Sequence, residues 1–153
     1  MTDHLSKKAR SFNMARIRSK DTAPEILVRK LLRSMRVRFK ANLSKMPGKP
    51  DILLKGSVVL MFIHGCFWHR CPLKSCRRSN MPKSNQGYWG PKLSKNVARD
   101  RKNIKTLKKM GWKPYIIWEC QTRSNKRLKS IILKILVKNN IGYIRPKHGN
   151  SKK

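Results

Sequence analysis

The chain has 153 residues, enough for one domain with a buried core, and carries 39 Lys and Arg against 6 Asp and Glu, a formal charge of +33. Such a chain repels itself unless it meets a polyanion, so nucleic acid is the expected partner, in an enzymatic, ribosomal or packaging role, and an acidic membrane surface ranks below these. No segment has the unbroken apolar length of a transmembrane helix, and the polar start Met1-Thr2-Asp3-His4 is not a secretory signal, so the four cysteines point to a reducing, cytoplasmic compartment and to metal rather than disulfides.

Residues 1–20 are basic and weakly periodic and read as an arm. Thr22-Ala23-Pro24-Glu25 is a capping box with proline in the first turn; it predicts a helix to about Met35 with Ile26, Leu27, Leu31 and Leu32 as its apolar stripe. Val37 to Ala41 alternates as a strand. After a turn at Met46-Pro47-Gly48-Lys49-Pro50, strands are expected at Asp51–Leu54 and Ser57–Ile63, paired as a hairpin that brings Asp51 near the end of the second. Arg77 to Pro91 is polar, with Tyr88-Trp89 as its one large apolar group, and reads as a loop. A helix over Lys92–Met110 stopped by Gly111, a strand over Lys113–Trp118 and a helix over Ser124–Val137 follow, and a basic tail occupies 145–153.

Chemistry concentrates in His64-Gly-Cys66-Phe67-Trp68-His69-Arg70-Cys71 and the continuation to Cys76, directly after an apolar strand. Cys66, Cys71, Cys76 and Cys120 suit a structural tetrahedral zinc, which would staple a loop too poor in apolar residues to fold alone. Four free buried thiols, or a site in which His64 or His69 replaces a cysteine, are the alternatives. Phe67, Trp68 and Trp89 either cover the metal or act as wedges between bases. Among the scarce acids, Glu25 closes the capping box and can pair with Arg29, or it serves a site. Asp51 is a turn residue or a Mg²⁺ ligand at the mouth of a sheet. Asp100 interrupts the apolar face formed by Leu93, Val97, Ile104 and Leu107 without a helix-local cation, so its partner is a bridging cation, a metal's water shell or a distant arginine. Two histidines beside a strand-end aspartate suit acid–base work.

The strand ending in HGCFWH, Pro-Gly-Lys-Pro-Asp51 before it, KNVARDR at 95–101, Trp118-Glu-Cys120, Arg10-Ser-Phe-Asn-Met14 and Arg18-Ser-Lys-Asp21-Thr together resemble the very short patch repair (Vsr) DNA mismatch endonucleases, over roughly Ser6 to Cys120. The resemblance implies an α/β, restriction-endonuclease-like core over 21–144, with a mixed central sheet flanked by helices and a structural zinc. It implies a Mg²⁺-dependent nick 5′ to the T of a T:G mismatch, by a monomer on double-stranded DNA, with a functional link to a cytosine methyltransferase and a place on the bacterial nucleoid. By motif, Asp51 and the Ile63 carbonyl would hold Mg²⁺, and His69 would be the general base. Glu25, His64 and Asp100 would orient water and phosphate. Phe67, Trp68 and Trp89 would form the wedge, and Met14 of the arm would approach from the other groove. The (D/E)xK half of many nuclease motifs is absent, as in this family, and Cys71 stands where some members have histidine. A non-catalytic zinc module that binds RNA or DNA, and a related nicking enzyme with another substrate, are the rival readings.

Overall fold

The structure is a computed structural model that describes residues 6, 8, 9, 12 and 20–144; the expected tail at 145–153 and most of the expected arm, Met14 included, lie outside the described residues. Helix α1 spans Ala23–Ser34 and begins where the capping box predicts, but its buried face is rotated from the expected stripe. Val28 and Leu32 are fully buried, whereas Ile26 and Leu27 are exposed. The buried face instead includes Glu25 and Arg29, because both charges find partners at the helix start. Glu25 accepts from the Asp21 and Thr22 amides at 3.0 and 3.4 Å and from the Thr22 hydroxyl at 2.7 Å, and Arg29 pairs with Asp21 at 2.6 Å.

Strands β1 (Phe39–Ala41), β2 (Ile52–Leu54) and β3 (Val59–His64) form an antiparallel meander, and β4 (Lys113–Trp118) joins β3 in parallel. The sheet order is β1-β2-β3-β4, so the sheet is mixed, as expected. The hairpin pairs Ile52 with Met61 and Leu53 with Leu60, which carries Asp51 up to Ile63. β3 reads as an unbroken apolar run because both of its faces are covered. Val59 and Met61 pack with Val28 and Leu32 of α1 and with the last helix, while Leu60 and Phe62 pack with Leu107 from the opposite side.

Helix α2 is the crossover from β3 to β4 and spans Gln86–Lys109, starting well before the expected Lys92. Pro91 reads in the sequence as a stop, yet near a helix N-terminus a missing N–H costs at most one internal bond. Burial of Trp89, 5% exposed, against Phe67 outweighs it. A one-turn helix α3 (Glu119–Thr122), which no sequence signal announced, links β4 to α4 (Asn125–Lys138), which starts where expected, with Ser124 as its N-cap. The outer edge of β4 is blunted against strand addition. The Lys113 amide donates inward to Val58 at 2.8 Å, so the amides of alternate residues face outward. Pro114 has none, and that of Trp118 donates to the Gln121 side chain at 2.8 Å. Among the described residues no helix is long and apolar enough to cross a membrane.

Candidate active site

The C-terminal end of β3 delivers His64, and the loop after it carries the rest of the expected chemistry. Asp51 reaches this point through a tight turn in which Gly48 and Lys49 have φ of +71° and +51°. Gly48 packs so closely on α2 that a Cβ there would lie 3.0 Å from Asn103 Cβ, so glycine is needed for both conformation and space. The Asp51 amide donates to Met61 at 3.1 Å, and one carboxylate oxygen accepts from the Ile63 amide at 2.6 Å. Burial pushes the Asp51 carboxyl up to about 6, against the lowering effect of the Ile63 amide, and the nearby Glu25 charge raises it further. Asp51, Glu25, Ile63, His64, His69 and Asp100 all line one open cavity of about 970 Å³. A buried and a half-buried carboxylate facing one space favour a cation there, since it relieves the cost that raises Asp51. Glu25 thus closes the cap and lines the site; the two readings are not exclusive.

His64 is 6% exposed and stacks on His69 with ring centroids 3.9 Å apart at 14°. Burial, helped by His69, pushes the His64 pKa down to about 4, so this ring is neutral at ordinary pH. Asp100 finds a partner on another segment: its carboxylate lies 2.5 Å from the Nδ1 of His69, with Arg99 at 3.9 Å as a weaker companion, and His64, His69 and Asp100 together form a group that could hold a metal. Helix periodicity could not find a partner on another segment. Burial alone would raise the Asp100 pKa, but the His69 hydrogen bond and charge hold it below the usual carboxylate range. An ionised Asp100 accepts the Nδ1 hydrogen, which leaves the Nε2 lone pair of His69 as a base.

The four cysteines converge as expected, with their Sγ atoms all within 4.8 Å of one another. Tetrahedral zinc–thiolate bonds of ~2.3 Å separate sulfurs by ~3.8 Å, and Cys71 and Cys120 lie 3.9 Å apart. Burial pushes the Cys66 thiol up to about 12, and those of Cys71 and Cys120 to about 11. The two histidines fall in a separate group with Asp100 rather than among the cysteines: His64 stacks on His69, and His69 bonds Asp100. Glu119 ties the knuckle together: it accepts from the Cys66 amide at 3.2 Å and from Arg78 at 2.5 Å.

Phe67, Trp68 and Trp89 form one aromatic cluster, Phe67 lying 5.1 Å from each indole. They pack with one another rather than over the four cysteines, whose apolar neighbours are Leu73 and Trp118. Trp89 is buried beneath, while Tyr88, which sequence reasoning gave no role, is the exposed outer ring, 5.0 Å from Trp89. Lys92 was also missed. Its ammonium lies within 5.8 Å of the Trp68, Tyr88 and Trp89 rings and donates to the Tyr88 hydroxyl at 2.8 Å. The helical spacing of Tyr88 and Lys92 was the available signal, hidden by the expectation of a loop.

Residues 2–78 match the family model described as DNA mismatch endonuclease Vsr. A Type II nicking enzyme of Neisseria meningitidis serogroup A is 41% identical over 139 residues, spanning 88% of this chain and 97% of that protein. A Type II nicking enzyme of Xanthomonas oryzae is 39% identical over 136 residues, spanning 89% of this chain and 98% of that protein. The DNA mismatch endonuclease Vsr of Escherichia coli is 36% identical over 128 residues, spanning 84% of this chain and 80% of that protein.

Proposed function

The chain belongs to the Vsr family of DNA mismatch endonucleases, DNA-cleaving hydrolases, and from that premise we propose that it nicks one strand of duplex DNA 5′ to the T of a T:G mismatch. The observation that carries the catalytic half of this reading is the His69–Asp100 pair at 2.5 Å on the same cavity as Asp51 and Ile63. Asp51, with the Ile63 carbonyl, is the proposed Mg²⁺ site. When bound there, the ion supplies positive charge for the scissile phosphate and acidifies water.

His69 Nε2 takes the proton of the attacking water, and Asp100 holds the ring's tautomer and stabilises the imidazolium that results. Neutral His64 packs against His69 without competing for that proton. Glu25, fixed by its hydrogen bonds to the helix start, orients water beside Asp51. The zinc proposed at Cys66, Cys71, Cys76 and Cys120 fastens the loop that carries His69 to the end of β4 and has no role in the cleavage step. The fold is proposed to be a reduced restriction-endonuclease-like core, and the basic residues 1–20 an arm that adds phosphate contacts.

Charge cannot select a mismatch, because phosphates look alike beside it and away from it. Phe67 and Trp68, backed by Trp89, are the proposed wedge. Unstacking costs a few kcal/mol per step, and less at a wobble pair. One protomer acts per site, and an enzyme that methylates cytosine, whose product deaminates to T opposite G, is the activity this repair would serve. The test is a labelled T:G duplex and its T:A control, with and without Mg²⁺. A single Mg²⁺-dependent nick 5′ to the mispaired T is expected; equal cutting of both duplexes would refute the mismatch reading.

A further inference from the structure

A second hollow opens on the far side of the catalytic pair, between α2 and β4. Helix α2 packs on Leu60 and Phe62 of β3 and also contacts β4, but it leaves Ile116 and Trp118 of β4 partly uncovered. Ile116, 37% exposed, and half-buried Trp118 therefore form an open floor, with Val97 and Ile104 of α2 as a wall. The cleft measures about 700 Å³ and shares His64, His69 and Asp100 with the catalytic cavity. Its rim carries the exposed cations Arg70, Arg101, Lys105, Lys108 and Lys109. Asp100 is the one acid in the lining, and it is engaged with His69.

An apolar floor beneath a cationic rim fits a ligand with a flat apolar body and an anionic side. We propose that this cleft is a nucleotide site, which takes one unstacked nucleotide of a single-stranded segment leaving the catalytic cavity past His69. Its base lies on Ile104, Ile116 and Trp118, and its phosphate sits among Arg70, Arg101 and Lys105. Single-stranded sites combine these two elements, a basic track and an apolar platform for the base. Duplex DNA offers the floor nothing, since its bases are stacked inside. An extended acidic peptide would match the rim but not the edge of β4, where Pro114 lacks an amide hydrogen and the Trp118 amide is taken by Gln121. The identification of the strand as DNA rests on the nuclease reading; the cleft and its chemistry do not.

The test is fluorescence anisotropy of the full chain in magnesium-free buffer with three labelled probes: tetrathymidylate, an abasic tetranucleotide, and an aspartate peptide of equal charge. The wild type is expected to bind tetrathymidylate at least about fivefold more tightly than the abasic probe. Ile116→Glu should erase that preference, and Ile116→Ser, a milder change at the same exposed position, should reduce it. Lys105→Ala should weaken both oligonucleotides and leave their ratio unchanged. Equal wild-type affinity for abasic and thymidine probes would overturn the proposal. So would a preference that survives both Ile116 variants, or peptide binding as tight as tetrathymidylate binding, which would mark a docking surface for acidic protein. Nicking of a T:G duplex is followed in parallel. Nicking without base preference overturns the cleft alone; base preference without nicking overturns the nuclease reading and leaves the cleft standing.

Discussion

The cysteine knuckle and the histidine–carboxylate cavity both grow from the end of β3, and they treat charge in opposite ways. In the knuckle, four like groups converge with little solvent, and burial holds the Cys66, Cys71 and Cys120 thiols protonated unless a cation replaces the hydrogens. In the cavity, unlike groups face an open volume of about 970 Å³, and their pKa values are driven apart: Asp51 up, His64 and Asp100 down. A closed set of four ligands leaves no position for substrate, whereas an open set of acids and a base does. On the proposed function the same strand end serves fastening on one side and chemistry on the other, and variants should sort accordingly.

The largest expected effects are on the open side. Asp51→Ala and His69→Ala should each lower the nicking rate by ~10²–10⁴-fold, with matched-duplex affinity nearly unchanged in a gel-shift titration. Removing Asp51 from a chain of charge +33 should, if anything, tighten phosphate binding. On the closed side, Cys120→Ser should release zinc and lower the melting temperature by ~10 °C or more. Calorimetry beside elemental analysis checks this, and a variant that keeps its melting point without zinc would erase the distinction.

A smaller effect follows from Asp51 itself. Its pKa is raised, so the folded state favours the protonated form; this contribution is complete below the ordinary value of 3.8 and lost as pH rises through about 6. Ionised Asp51 therefore destabilises the magnesium-free protein at neutral pH. Asp51→Asn should stabilise that state by about 1–3 kcal/mol, with the gap over wild type closing towards acid pH in denaturant titrations. With limiting Mg²⁺, wild-type nicking should fall as pH drops through about 6, and excess Mg²⁺ should shift that midpoint down. The smallest change is expected at Glu25→Gln, roughly a tenfold loss of nicking, with the helix start retained because the amide oxygen still accepts from Thr22.

The elements with local signals were legible in advance. The capping box at Thr22–Glu25, the hairpin that lifts Asp51, and Ser124 at the start of α4 all appear where the sequence places them. What failed depended on distant contacts. The start of α2 is fixed by Trp89 packing on Phe67, which outweighs the local message of Pro91. The face of α1 is set by the partners of Glu25 and Arg29, not by which residues are most apolar. Asp100 was singled out as needing a partner, but its identity lay 31 residues away in His69. The cysteine set was legible in full because few residue types can do that job; Lys92 and Tyr88 were not, because a lysine in so basic a chain carries no signal of its own.

The contrast between the two sides meets its most direct test in one preparation followed through mild chelation. EDTA should stop T:G-specific nicking while elemental analysis still finds about one zinc per chain, and Mg²⁺ alone should restore the rate in full. Loss of activity that instead tracks zinc release, and returns only with zinc, would contradict the account by placing the chemistry in the cysteine knuckle.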